Sequence, residues 1–106
     1  MRFLRLRRLH FVGAGGVGMS GIAEILLLAT PLEISGCDLA RSEVTARLEK
    51  LGAKISIGHD PAHLDRADLV VISSAVAESN AEVAAARARG IPVIRRAEML
   101  GEIMRL

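Results

Sequence analysis

From Gly13 to Gly18 the chain reads Gly-Ala-Gly-Gly-Val-Gly, directly after the apolar run Leu9-His10-Phe11-Val12 and directly before a helix-like stretch. Glycines at these spacings let a chain turn sharply out of a strand, approach an anion backbone-first and pack a helix closely on a sheet. The first helical N–H groups, around Gly16 to Met19, lack intrahelical acceptors and are expected to face that anion. Asp38 stands twenty residues beyond Gly18, where an acid can reach a ribose hydroxyl. Strand, turn, helix and acid in this order make a Rossmann-type diphosphate-binding turn.

Gly13 and Gly18 also fit the outer glycines of a nucleoside-triphosphatase loop, in which a lysine and then a serine or threonine follow. Here Met19 holds the lysine position, ahead of Ser20. With no ammonium to hold β- and γ-phosphates, the loop is expected to bind a diphosphate and leave it intact.

Five short apolar runs, Leu9–Val12, Leu32–Gly36, Lys54–Ile57, Asp68–Ile72 and Pro92–Ile94, alternate with helical patterns. That alternation predicts an α/β fold, a Rossmann-like doubly wound parallel five-stranded sheet with helices on both faces. Met19, Ile22, Ala23 and Leu26 fall at i, i+3, i+4 and i+7, one apolar stripe on a first helix that Pro31 ends. Ser42 to Thr45 start a second helix that Gly52 ends, Asn80 caps a third that stops at Gly90, and Arg96 to Met104 form a fourth. Short right-handed crossovers give strand order 3-2-1-4-5. The switch point then lies between strands one and four, beside Gly13–Gly18 and Ser73-Ser74.

A chain of 106 residues, 51% of them hydrophobic, is expected to be a single domain, residues 1–106, with an ordinary packed core. No tryptophan or tyrosine and only two phenylalanines are present, so the stacking platforms of single-stranded nucleic-acid binders are missing and the net charge of +2 reads as a solvated surface. No nucleic-acid partner is expected. Arg2, Arg5, Arg7 and Arg8 ahead of an apolar stretch superficially resemble a secretory signal, but five glycines from Gly13 to Gly21 and then Glu24 interrupt the stretch. No run approaches the roughly twenty residues that span a bilayer. A soluble cytoplasmic protein without membrane contact is expected, and Cys37, the only cysteine, allows no intrachain disulfide.

The stretch His10 to Glu24 resembles the opening of the Mur ligase family, in the branch that joins L-alanine to UDP-N-acetylmuramate during peptidoglycan synthesis. Further similar segments follow in order: Ser35-Gly36-Cys37-Asp38, Leu51 to Ile55, Ile57-Gly58-His59, Val71 to Ala75, and Ile91 to Leu100. Members of the family have an N-terminal Rossmann-like domain for the UDP-sugar, a central ATPase with its own phosphate-binding loop, and a C-terminal domain associated with the incoming amino acid. The resemblance implies that this chain is the first of these alone. The ATPase and C-terminal domains would be absent, the isolated chain would not form the amide bond, and no cofactor would sit in this domain. ATP and Mg are implied for the full-length enzyme, where the sugar's lactyl carboxylate would be activated. Two departures stand out: the family usually has serine at Cys37, and a glycine followed by an aromatic or polar residue at Pro31-Leu32. The second predicts a locally different loop after the first helix.

The candidate substrate-binding set is Gly13, Gly15, Gly16, Val17, Gly18, Met19, Ser20, Asp38, His59, Ser73, Ser74 and Ala75. For Asp38 a bond to ribose and a turn-capping carboxylate are equally open, and for His59 so are ligand contact and turn organisation. Ser73 and Ser74 could donate to sugar or phosphate oxygens, or cap a turn. His10 and His63 are assigned to structure, Arg95, Arg96 and Glu98 to solvated helix-terminal charge or an interdomain surface, and Cys37 to packing as a small thiol. No histidine, cysteine and carboxylate spacing resembles a metal site, and no nucleophile adjoins a base, so no catalytic or metal-binding residue is assigned. Two other readings stay open from the residues alone: an NAD(P)-binding domain of a dehydrogenase or regulatory sensor, which the turn and Asp38 equally allow, and an interaction module that has lost its ligand. Met99, Ile103, Met104 and Leu106 form a candidate apolar patch through which a homodimer could assemble, on a surface the missing domains would otherwise cover.

Overall fold

The computed structural model describes residues 6–16 and 18–104, with side chains up to 101. Five parallel strands, β1 (Arg8–Val12), β2 (Glu33–Asp38), β3 (Lys54–Ile57), β4 (Leu69–Ile72) and β5 (Val93–Arg95), lie in the order β3-β2-β1-β4-β5. Helices α1 (Met19–Ala29), α2 (Glu43–Lys50), α3 (Ala81–Ala88) and α4 (Arg96–Met104) connect or follow them, and a 3-10 turn over Pro61–Leu64 completes the crossover from β3 to β4. This is the fold class and strand order that the sequence predicts.

Alternation along each strand divides the core between the two sheet faces. Leu9 and Phe11 of β1, Ile34 of β2 and Ile55 of β3 pack with Met19, Ile22, Ala23 and Leu26 of α1, Leu48 of α2 and Met99 of α4. Val12, Cys37, Val70 and Ile72 point to the other face, against Leu64 of the 3-10 turn and Val83 and Ala86 of α3. The interior strand β4 is buried along its whole length, and its unbroken Leu-Val-Val-Ile run follows from cover on both sides. Each large apolar side chain removed from water here stabilises the fold by about 1.5–3 kcal/mol.

Helix ends carry the expected chemistry. Ser42 Oγ accepts from Thr45 N–H at 3.2 Å while Ser42 N–H donates to Thr45 Oγ1 at 2.8 Å, a reciprocal cap for α2. Asn80 Oδ1 accepts from Glu82 N–H at 2.9 Å and so starts α3. The exit from α1 is the local departure expected at Pro31. Thr30 is extended (φ −137°, ψ 162°), as a residue before proline prefers, and its hydroxyl donates to Leu26 O at 2.6 Å where a glycine would otherwise reverse the chain.

The C-terminal patch is corrected by the structure. Met99 is fully buried in the core, because α4 lays it against the α1 face of the sheet, and it contributes nothing to an exposed apolar surface. The side chains of Ile103 and Met104, and Leu106, lie outside the described residues.

Candidate functional site

The strands on either side of the switch point, β1 and β4, are continued at their carboxyl ends by the glycine turn and by Ser73. Gly13 has φ +79°, which lets the backbone leave β1 and present both its own N–H and that of Ala14 to Cys37 O, each at 2.9 Å. Those two bonds pin the turn to the end of β2. Gly18 has φ +83° and is the N-cap of α1, with no side-chain cap on the helix. Gly16 N–H donates to Gly13 O at 3.0 Å, Met19 N–H to Gly16 O at 3.1 Å and Ser20 N–H to Gly16 O at 3.3 Å. The N–H groups of Gly16 and Met19, expected to face an anion, are therefore engaged within the turn, because it coils tightly enough to satisfy them itself. Val17 lies outside the described residues.

Asp38 braces this turn from β2. Its Oδ2 accepts from Gly15 N–H at 2.8 Å and its Oδ1 from Leu39 N–H at 2.7 Å. A methyl group on Gly15 would stand 2.6 Å from Oδ2, so glycine here is what lets the carboxylate come this close. The carboxylate thus acts as a turn cap, with one edge still on the cleft beside it.

That cleft, about 380 Å³, is lined by Gly13, Gly16, Asp38, His59, Ser73 and Ala75 among the residues singled out from sequence. Leu39 and Ser79 also line it, and no motif pointed to them. Gly15, Gly18, Ser20 and Ser74 are not part of its wall. Met19 stands in both the apolar stripe of the first helix and the binding set, and its side chain takes the first role: it is fully buried in the core against the sheet, and only its backbone borders the turn. Conversely, Arg96 at the start of α4 lays its side chain over Gly18, with Cδ 3.0 Å and Nη1 3.2 Å from where a Cβ on that glycine would stand. A guanidinium at the N-terminus of α1 adds charge to a helix end that already favours anions. Sequence reasoning left Arg96 as solvated charge because 78 residues separate it from Gly18. A larger cleft of about 780 Å³ opens among Arg8, Glu33, Lys54 and Arg66 at the starts of the strands. Open α/β sheets bind ligands at the carboxyl ends, so the smaller cleft is the functional candidate.

Behind the cleft, on the α3 face, lies a buried polar cluster. Glu82 and His10 are 0% and 1% exposed, and Glu82 Oε1 accepts from His10 Nε2 at 2.5 Å. Glu82 Oε2 bonds His63 Nδ1 at 2.9 Å and Asp60 N–H at 3.1 Å, and His59 Nδ1 lies 3.7 Å from the same oxygen. His59 Nδ1 is also 3.2 Å from Cys37 Sγ, and His10 Nδ1 is 2.8 Å from Ser35 Oγ. Burial alone would raise the Glu82 carboxyl, but the bonds from His10 and His63 outweigh it and hold the group well below the usual range. Burial pushes the Cys37 thiol up to about 12, despite the bond from Gly13, with the Glu82 charge acting in the same direction. His10 and His63, assigned to structure, do organise this cluster. Glu82 was missed, its only sequence signal being its place two residues after the capping Asn80. Donor atoms of His10, Cys37 and Glu82 lie within 4.8 Å of one another, a grouping that spacing along the chain does not reveal.

Residues 8–106 match the model of the Mur ligase family, catalytic domain. The chain is 58% identical over 102 residues to a UDP-N-acetylmuramate--L-alanine ligase of Geotalea daltonii, covering 96% of this chain and 22% of that protein. It superposes on the crystal structure of UDP-N-acetylmuramate-alanine ligase MurC from Thermotoga maritima with a TM-score of 0.82 at 31% identity, covering 92% of this chain and 23% of that one. A UDP-N-acetylmuramate:L-alanyl-gamma-D-glutamyl-meso-diaminopimelate ligase from Neisseria meningitides gives 0.82 at 34% identity, over 92% and 31%. The chain thus spans about a fifth of the length of the curated relative it matches.

Proposed function

The chain belongs to the Mur ligase family, and from that premise we propose that it is the UDP-N-acetylmuramate-binding unit of an ATP-dependent ligase that adds L-alanine to this sugar nucleotide in peptidoglycan synthesis. The observation that carries the reading is the pairing of a glycine turn, opening on a cleft at the switch point, with 58% identity to a protein named for that reaction.

In this reading the diphosphate rests against Gly13 and Gly16, at the uncapped start of α1, with the Arg96 guanidinium neutralising part of its charge. Ser73 and His59 offer hydroxyl and imidazole hydrogen bonds to the ligand's remaining polar groups, and Asp38 holds the turn in shape. The residues present do not fit ATP and Mg: a buried methionine stands where a triphosphate loop has its lysine. ATP, Mg and amide formation are therefore proposed for ATPase and C-terminal domains outside this chain, and the cytoplasm is the proposed compartment. Among the described residues no helix is long and apolar enough to cross a membrane.

The test is a calorimetric titration of the chain with UDP-N-acetylmuramate, UDP, NAD and NADP at one ionic strength. Saturable binding of the UDP compounds alone is the expected result. Binding of NAD or NADP in their place would overturn the reading, and silence from all four would remove an autonomous ligand site from this chain.

A further inference from the structure

We propose that His10, Cys37, Glu82 and His59 form a binding site for a divalent transition metal of the zinc type, behind the nucleotide cleft and bordering it through His59. The four side chains come from β1, β2, the loop after β3 and the first turn of α3, so a shared ion would tie both ends of the crossover to the sheet.

Geometry carries the assignment. Zinc bonds of about 2.0–2.3 Å in a tetrahedron place neighbouring donor atoms roughly 3.2–3.8 Å apart. His59 Nδ1 already sits 3.2 Å from Cys37 Sγ. His10 Nε2, Cys37 Sγ and a Glu82 oxygen lie within 4.8 Å of one another, with the residues 1%, 0% and 0% exposed. The one contact that must lengthen is His10 Nε2 to Glu82 Oε1, from 2.5 Å by roughly 1 Å, as the ion takes the place of the proton between them. His59, 26% exposed and on the wall of the cleft, supplies the entry path.

Charge and outer contacts agree with this donor set. A thiolate, a carboxylate and two neutral imidazoles around a divalent cation leave no net charge in the interior, which an isolated buried ion could not achieve. On binding, the thiol proton leaves to solvent, and the proton that His10 shares with Glu82 moves to its Nδ1, directed at Ser35 Oγ 2.8 Å away. Ligating histidines are oriented through their second nitrogen in this way. The Glu82 oxygen not needed by the metal keeps its bonds from Asp60 N–H and His63. A mixed imidazole, thiolate and carboxylate set favours zinc or cobalt over magnesium or calcium, which prefer oxygen alone.

Cobalt(II) is the probe, because a cysteine thiolate bound to it gives a charge-transfer band in the near ultraviolet. The metal-free chain is titrated with cobalt(II) and then zinc(II). One cobalt per chain, with that band and with displacement by zinc, is the expected result. Cys37→Ser, checked for native far-ultraviolet circular dichroism, should lose the band and bind more weakly. Ser35→Ala, which removes only the outer contact to His10, should keep the band and bind roughly 10–100-fold more weakly. No saturable uptake, uptake without the band, or equal uptake by wild type and Cys37→Ser would each overturn the site.

Discussion

Gly15→Ala tests the bracing of the glycine turn. The added Cβ would stand 2.6 Å from Asp38 Oδ2, 3.2 Å from Thr45 Cγ2 and 3.5 Å from Ser42 Oγ. The first distance is too short to persist, and Asp38 is the movable partner, so its carboxylate swings away and gives up the 2.8 Å bond from Gly15 N–H. A hydrogen bond to a charged acceptor contributes about 1.5–3 kcal/mol, and the half-buried position of Asp38 favours the lower part of that range. Alanine also narrows the unfolded ensemble, which returns about 0.4–1 kcal/mol. The net loss is then about 1–2 kcal/mol, read by urea denaturation, with Tm falling ~4–8 °C per kcal/mol in a domain of this size. A double-mutant cycle isolates the cause. In an Asp38→Ala background the clash and the bond are both gone, so Gly15→Ala should change stability by no more than about 0.5 kcal/mol, apart from any gain from unfolded-state entropy. An equal cost in both backgrounds would refute the claim that Asp38 is what Gly15 makes room for.

Arg96→Ala should weaken UDP binding about tenfold, the effect of roughly 1.4 kcal/mol, while leaving Tm unchanged because the side chain is exposed; unchanged affinity in calorimetry would remove Arg96 from the site. Gly36→Ala should destabilise by about 1–3 kcal/mol, since its Cβ would meet Ala14 Cβ at 2.7 Å and Phe11 O at 3.1 Å, neither of which can move without shifting the turn or β1. Glu82 has a folded pKa below its unfolded value, so its contribution is complete above the unfolded value of 4.5 and is lost as pH falls from there toward about 2. Denaturation midpoints of Glu82→Gln should accordingly depend less on pH in that window than those of wild type, and parallel curves would exclude Glu82 as the titrating group. Cys37, raised to about 12 by burial, should resist a thiol-specific reagent in the folded chain at pH 8 and react at once in denaturant; fast labelling of the folded chain would contradict its placement.

The sequence determined the features set by neighbours along the chain. Strand and helix periods, the caps at Ser42 and Asn80, the glycines that leave β1 and enter α1, and the order β3-β2-β1-β4-β5 follow from spacing, turn chemistry and the handedness of short crossovers. Boundaries moved by a residue or two, as in β2, which begins at Glu33 and continues to Asp38. The same local logic drew attention to the glycine turn, and six of the residues singled out from sequence line the cleft beside it.

Only the tertiary structure decided where the side chains went. It turned Met99 into the core, laid Arg96 over Gly18, gave Asp38 to the Gly15 amide, and joined His10 to Glu82 across 72 residues of sequence. None of these has a periodicity to betray it. Each depends on which strands are neighbours and which sheet face an alternating residue meets, so His10 and Ser35, unremarkable where they stand in the sequence, become register partners beneath α3 once β1 and β2 pair. Local sequence sets the backbone's repeating geometry, whereas a buried charge finds its partner only when the sheet has closed over it.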